Sequence, residues 1–423
     1  MDAQERTRSC FRERPPQVEG VPRGARQICI PMIRDAYDRT WNDAGEVRRY
    51  LQSLIDSSPE LFPTGIEDGF QLTGHLPESV KMPGVRLRQL RLKNGMTFTL
   101  RPSFVMSYMS GSVEDLEHPL LLLSFGVPCW LVTRIFGHND MYWQRHLERL
   151  GRNSLVGTTV RDPSRLPEHL AADEHHADWC GQKGFVPMTA GGGCILGLAL
   201  TDSADEAHLT DAYGQFAQES RAVKDDYAPQ TVNTDGWFAT RNAFRTLFPT
   251  IALILCFLHG FLKIRDRCRQ ALELHKRVWE VYHAATADEF RERMAAFRAW
   301  CLQGTWPKAV MEAVTKLWNR EAEYVVAYSH LGCHRTSNLV DRLMNRLTRF
   351  LYDGRGLHGH RISSERRLRG WALLQNFRPF APRSGQVREF LSPAQRLSRR
   401  QYHPHWLHNL QVCASLAGGV AAT

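Results

Sequence analysis

Thr231-Val-Asn-Thr-Asp-Gly-Trp237, then a helix-like run to Leu247, then Ile251-Ala-Leu-Ile-Leu-Cys-Phe-Leu-His259 decide how this chain is read. Both apolar runs have the length of a buried strand rather than of a core helix. The first closes on Asp235 and the second on Cys256-x-x-His259, so the crossover between them places ionisable groups at neighbouring strand tips of an α/β sheet. Gly236, next to Asp235, leaves room for another backbone to approach. A carboxylate at a strand tip is well placed to hold a divalent cation.

Upstream, Glu168-His-Leu-Ala-Ala-Asp173, Lys183 to Thr189 and Cys194 to Leu200 read as three further strands, the last two joined through Ala190-Gly-Gly-Gly193. Ala204 to Asp225 then reads as a helix capped by Asp202 or Ser203, with Leu209, Ala212 and Phe216 on its apolar side. Three strands, a helix, then strand-helix-strand is the order of an RNase H-like mixed sheet, so the expected class is α/β. Residues 261–328 are helical in texture, and their stripe of Trp279, Phe290, Met294 and Phe297 is most simply the core of an α-helical insertion. From His334 to Phe350 runs an amphipathic helix behind a Ser/Asn cap. It carries Leu339, Leu343, Leu347 and Phe350 on one side, Asp341 and Asn345 on another, and Arg342, Arg346 and Arg349 as a basic stripe.

Nearer the N-terminus, Val85-Arg-Leu-Arg-Gln-Leu-Arg-Leu92, the turn Asn94-Gly95 and Thr97 to Leu100 predict a small β-hairpin. Its basic side, with Arg86, Arg88 and Arg91, is either a phosphate contact or the wet face of a small sheet. Two short helices around Gly126, followed after Gly137 by Asn139 to Leu150, suggest a helix-turn-helix whose last helix carries Arg145 and Arg149. The implied division is an arm at 1–26, a hairpin region at 27–105, a helix-turn-helix at 106–162, a catalytic unit at 163–260 plus 329–377, the insertion at 261–328 and a basic tail at 378–423.

Lys and Arg number 54 against 44 Asp and Glu, for a net charge of +10, and from Arg355 onward there are eleven Arg, two Glu and no Lys. Such a concentration favours a polyanionic partner. Within it, Arg366 to Phe377 reads either as a DNA contact with Trp371 or Phe377 stacking, or as a helix docked on the sheet. The ten cysteines show no Cys-x-x-Cys pair and read as reduced thiols. No apolar run reaches the ~18–20 residues that span a bilayer. A cytoplasmic, nucleoid-associated protein without membrane contact is the expectation.

Phosphoryl transfer between DNA strands needs two divalent cations roughly 4 Å apart, and hence acids from separate elements converging on one point. Asp173, Asp235 and Asp341 are the candidates, with Glu365 and Asp353 as substitutes for the third. In this arrangement the chain resembles transposases of the DDE/DDD class, in the style of bacterial insertion-sequence and Mutator-like enzymes. Asp173 matches their strand-end Asp, Asp235 with Cys256-Phe-Leu-His259 their second Asp and Cys-x-x-His, and Asp341 in Thr336-Ser-Asn-Leu-Val-Asp-Arg their late-helix acid. The usual third acid there is Glu, so Asp341 is a departure. The resemblance implies Mg²⁺ (or Mn²⁺) at the three acids and His259 near the scissile phosphate. For Cys256 and His259, a zinc site and plain packing stay open. It further implies double-stranded DNA as partner, both terminal inverted repeats and target, with at least a dimer on paired ends. The rival expectations are a non-catalytic DNA-binding descendant and an RNase H-like nuclease that cuts without joining.

Overall fold

The computed structural model describes residues 26–352, 356–385 and 389–415. The arm read at 1–26 lies outside them apart from Arg26, as does Asp353. The described chain is mixed α/β and holds two mixed sheets.

The first sheet comprises β1 (Gln27–Ile30), β2 (Phe70–His75), β3 (Arg88–Leu92) and β4 (Thr97–Pro102), in the order β1-β4-β3-β2. β3 and β4 form the expected hairpin, while β1 adds in parallel to β4 and β2 antiparallel to β3. The apolar side closes over Ile28, Trp41, Leu51, Leu90, Leu100 and Phe104. Here the basic face needs correcting. β3 starts only at Arg88, whose side chain turns inward, is 4% exposed and donates from Nε to the Trp41 carbonyl at 2.7 Å. Arg86 precedes the strand and Arg91 lies on its wet side, so these two alone of the three are exposed.

The second sheet holds β5 (His169–Trp179), β6 (Gln182–Gly191), β7 (Cys194–Leu198), β8 (Thr231–Thr234) and β9 (Ala252–Leu255) in the order β7-β6-β5-β8-β9. β5, β6 and β7 form an antiparallel meander, and β8 and β9 extend it in parallel from β5. Residue alternation sorts its two faces. Leu170, Ala172, Leu196 and Val232 meet Leu209, Tyr213, Phe216 and Phe244, on helices Glu206–Val223 and Phe238–Leu247. Ala171, Val186, Met188 and Ile195 meet Val340, Leu343, Leu347 and Trp371, on helices Asn338–Tyr352 and Arg361–Phe377. The helix expected from Ala204 begins at Glu206, and its N-cap is Asp205, which accepts from the His208 amide at 3.0 Å.

From Leu368 to Phe377 the helix is buried on all sides, which settles Trp371 and Phe377 as core. Its Asn376 amide completes the edge of β7, accepting from Ile195 N and donating to Ile195 O, both at 2.8 Å. Polar groups can enter a core on such terms because each backbone partner would otherwise lose a hydrogen bond.

Helices Val113–Ser124, Cys129–Phe136 and Asp140–Leu150 occupy the stretch read as a helix-turn-helix. The last of them is not free-standing. Trp143, His146, Leu147 and Leu150 are buried, and its end crosses helix Arg361–Phe377 in backbone contact. A Cβ built on Gly151 would sit 1.8 Å from the Arg366 carbonyl oxygen, and one on Gly370 would sit 2.0 Å from that of Leu147. Arg145 remains exposed, and Arg149 is half-buried with its guanidinium 6.0 Å from the Tyr108 ring.

Helices Phe257–Arg265, Leu272–Tyr282, Ala287–Gln303 and Lys308–Trp318 form the helical unit, with a core of its own built on Phe257, Phe290, Met294, Phe297 and Val314. At the far end of the chain, what composition reads as a tail is partly core. Helix Trp406–Cys413 is buried, Val412 packs with the first sheet, and the Ser415 hydroxyl accepts from Cys29 N at 2.8 Å. None of the described helices is long and apolar enough to cross a membrane.

Candidate functional site

Where β8 leaves the sheet, a carboxylate-lined face opens. β5 and β8 pair in parallel with His169 opposite Thr231, Leu170 opposite Val232 and Ala171 opposite Asn233. Two residues further along lie Asp173, still within β5, and Asp235, the first residue past the end of β8, and the register carries both towards the same side of the sheet. That side is the one on which helix Asn338–Tyr352 packs, and Asp341 is in its first turn. Three segments far apart in sequence thus bring the three expected acids to one face.

One part of the sequence reading fails here. Asp173 does not close its strand, because β5 continues for six residues to Trp179, paired along one edge with β6. The strand end that matters is that of β8, whose departure leaves the other edge of β5 open beside Asp173. His259 likewise is not at a strand tip. β9 stops at Leu255, Cys256 is the residue before the next helix, and His259 lies in that helix's first turn.

The acids feel one another. Burial is the main cause that pushes the Asp173 carboxyl up to about 6, and the charges of Asp235 and Asp341 push the same way; the Glu174 amide, donating to Asp173 Oδ1 at 2.9 Å, and the charge of His259 pull it down. Asp235 Oδ1 accepts from the Trp237 amide at 2.7 Å, and Asp341 Oδ2 accepts from the Ser337 hydroxyl at 2.7 Å. Among the described residues no group of three or more His, Cys, Asp or Glu is arranged to hold a metal ion. The acids therefore share a face and a field without being gathered at a point. The donor set suits a hard divalent cation, since mutual repulsion of half-buried carboxylates is what such a charge relieves.

Ser337 joins the pieces, and sequence reasoning passed it over as a helix cap. Its amide donates to Cys256 Sγ at 3.1 Å, and its hydroxyl lies 3.2 Å from that sulfur and 3.5 Å from His259 Nδ1. The end of β9 is thereby bound to the helix bearing Asp341. Hydrogen bonding to Cys256 chiefly raises His259, to about 9, with the Asp173 and Asp341 charges adding and burial opposing. Burial acts to raise the Cys256 thiol, but hydrogen bonds from His259 and Ser337 outweigh it and hold it below its ordinary value. A cationic imidazole beside carboxylates is a sensible neighbour for a phosphate.

On the opposite face of β5, Glu174 accepts from Tyr213 Oη at 2.6 Å and from Thr240 Oγ1 at 2.7 Å. Burial pushes it up to about 7 against those two hydrogen bonds. It fixes both flanking helices to the strand that carries Asp173, a role hidden in sequence by the acidic run around it. Glu365, the substitute third acid, is engaged elsewhere: its carboxylate accepts from Gln215 Nε2 at 2.9 Å and Leu200 N at 3.4 Å. Arg342, Arg346 and Arg349 are exposed along the helix of Asp341, and partial desolvation together with the other two lowers Arg346. The buried side of that helix is Val340, Leu343, Met344, Leu347 and Leu351, whereas Leu339 and Phe350 are only half-buried.

No model of a known protein family matches the chain, and no curated protein matches it either.

Proposed function

We propose that the protein is a transposase with an RNase H-like catalytic sheet, cleaving DNA at element ends and joining the freed 3′ ends to target DNA. The observation that supports this most is the placement of Asp173 on β5 and of Asp235 just past the end of its parallel neighbour β8, with the Asp341 helix packed on the same face. Mg²⁺ or Mn²⁺ held by those three acids would supply the charge that activates the attacking oxygen and stabilises the leaving one. The chain does the positioning. Ser337 orients the Asp341 carboxylate, His259 sets a positive charge towards a phosphate oxygen, and Arg342, Arg346 and Arg349 lead away from the acids along the Asp341 helix as a track for the backbone. Pairing of two ends calls for at least a dimer.

The test is incubation of the full chain with Mg²⁺ and a duplex carrying the sequence that flanks its coding region. Nicking at the end followed by joining to a second duplex is the expected result. Cutting without joining would favour a nuclease, and binding without cutting a domesticated DNA-binding descendant.

Burial separates the candidate DNA contacts. Arg346→Ala is expected to weaken duplex binding and to lower the salt dependence of log K by about one, the cost of one phosphate contact. Arg88→Ala is expected to leave both unchanged wherever the variant is folded, because that guanidinium serves Trp41. Titrations by fluorescence anisotropy at several salt concentrations would check the pair.

A further inference from the structure

Beside the acid face, between helices Phe257–Arg265 and Lys308–Trp318, lies a pocket of about 350 Å³ that counts Asp235 among its lining residues. Leu255, Leu317 and Tyr324 give it an apolar floor, and Lys263, Arg267 and Lys316 line it with positive charge. Arg320 also borders it but is committed to Glu323, at 2.8 and 3.1 Å. No ion pair engages Lys263, Arg267 or Lys316 among the described residues, and Glu312 is the acid that shares their pocket with Asp235. The concavity is built by close approach. A Cβ on Gly260 would lie 2.7 Å from Leu317 Cδ1 and 2.9 Å from Tyr324 Oη, and one on Gly236 would lie 2.7 Å from Leu255 Cδ1.

Lysines and arginines at helix C-termini commonly just complement the helix dipole. Here Lys263 and Lys316, on two helices, and Arg267, in the turn just past the first of them and donating to the Lys263 carbonyl at 2.7 Å, line one cavity that shares a wall with a proposed catalytic acid. We propose that this pocket binds the phosphodiester backbone of an unpaired stretch of the DNA strand next to the cleavage position. The volume argues for a single strand, since it stands at the small end of ligand pockets, ~300–1,000 Å³, with room for about a nucleotide and none for a duplex. The cationic wall answers the phosphate, while Leu255, Leu317 and Tyr324 are almost fully buried in the helical core and only close the bottom of the pocket, so the recognition is of the backbone. The assignment rests on the strand-transfer reading for its substrate, and extends the DNA path onto the helical unit, whose aromatic core takes no part in it.

Binding in EDTA tests it without any need for cutting. The full chain and its Lys263→Ala/Lys316→Ala variant are titrated with a blunt duplex and with the same duplex bearing a short unpaired tail, with inorganic phosphate as competitor. Both lysines are exposed, so the variant is expected to fold. Affinity for the tailed duplex should fall about tenfold and its salt slope by about 1.4, at ~0.7 per single-strand phosphate contact, while the blunt duplex is unaffected. Inorganic phosphate should weaken the extra affinity of the tail in the parent and not in the variant; equal losses on both duplexes, no loss on either, or a tail insensitive to phosphate would overturn it. A tail-specific loss in a protein that cuts nothing in Mg²⁺ keeps the pocket and removes the transposase; cutting without a tail-specific loss does the reverse.

Discussion

Replacing Asp235 with asparagine is expected to lower Mg²⁺-dependent strand cleavage by at least about 10³-fold, equivalent to ~4 kcal/mol of transition-state stabilisation. The substitution is chosen to separate chemistry from folding. Asp235 is only half-buried, and its recorded side-chain bond is the acceptance from the Trp237 amide, which the asparagine carbonyl can keep. What asparagine removes is the charge that repels Asp173 and would bind a cation. Thermal unfolding should therefore be unchanged or slightly raised while cleavage is lost. Cleavage by the variant within tenfold of wild type would remove Asp235 from the reaction and, with it, the pairing on which the functional proposal stands.

The other large effect is structural. Gly370→Val is expected to destabilise the protein by more than about 3 kcal/mol, at or beyond the upper range of overpacked cores, because the obstruction is backbone rather than a side chain that can swing aside. A Cβ at this position would overlap the Leu147 carbonyl at 2.0 Å, and the reciprocal contact of Gly151 with Arg366 prevents the helices from sliding to relieve it. Gly385 is the control, with nothing among the described residues within 4 Å of a Cβ placed there, and Gly385→Ala should stay within about 0.5 kcal/mol. Denaturation midpoints for the two variants and the parent decide the matter. A Gly370 variant as stable as the parent would mean that the two helices do not cross as described.

How legible these features are in the sequence depends on how local their causes are. β8, its following helix and β9 can be read because each is a short apolar run bounded by its own turn residues. The outer half of β5, His175-His-Ala-Asp-Trp179, looks like a loop. It is held along one edge by β6 and on the other only at its tip, where Trp179 bridges to Leu357, and its polar residues carry no alternation to betray it. β1 is four residues long and is created by pairing with β4 across a wide gap in the chain, which no local propensity encodes. The alternation that starts at Val85 puts Arg88 on the wet side, but Leu87 and Arg88 are both buried, so the parity slips where the strand begins. The basic C-terminal stretch misleads by composition, since His408 and Asn409 are buried through bonds of 2.8 Å to Ser103 and 2.9 Å from Tyr402 that only the fold supplies. Asp173, Asp235 and Asp341 could be chosen as residue types at turning points of the chain. That they share one side of the sheet follows from strand register and from the seat of a distant helix, and neither is written locally.

Ser415 reaches back to Cys29 across 386 residues, and Val412 sits among the side chains beneath β1. During translation, then, the first sheet emerges without its final wedge. Its last strand ends at Pro102, so at ribosomal speeds of ~5–20 residues per second it waits on the order of 15–60 s for Val412 to arrive. Throughout this interval the sheet closes over side chains of residues 28–105, and the part left uncovered is the seat of Val412 and Ser415 against β1.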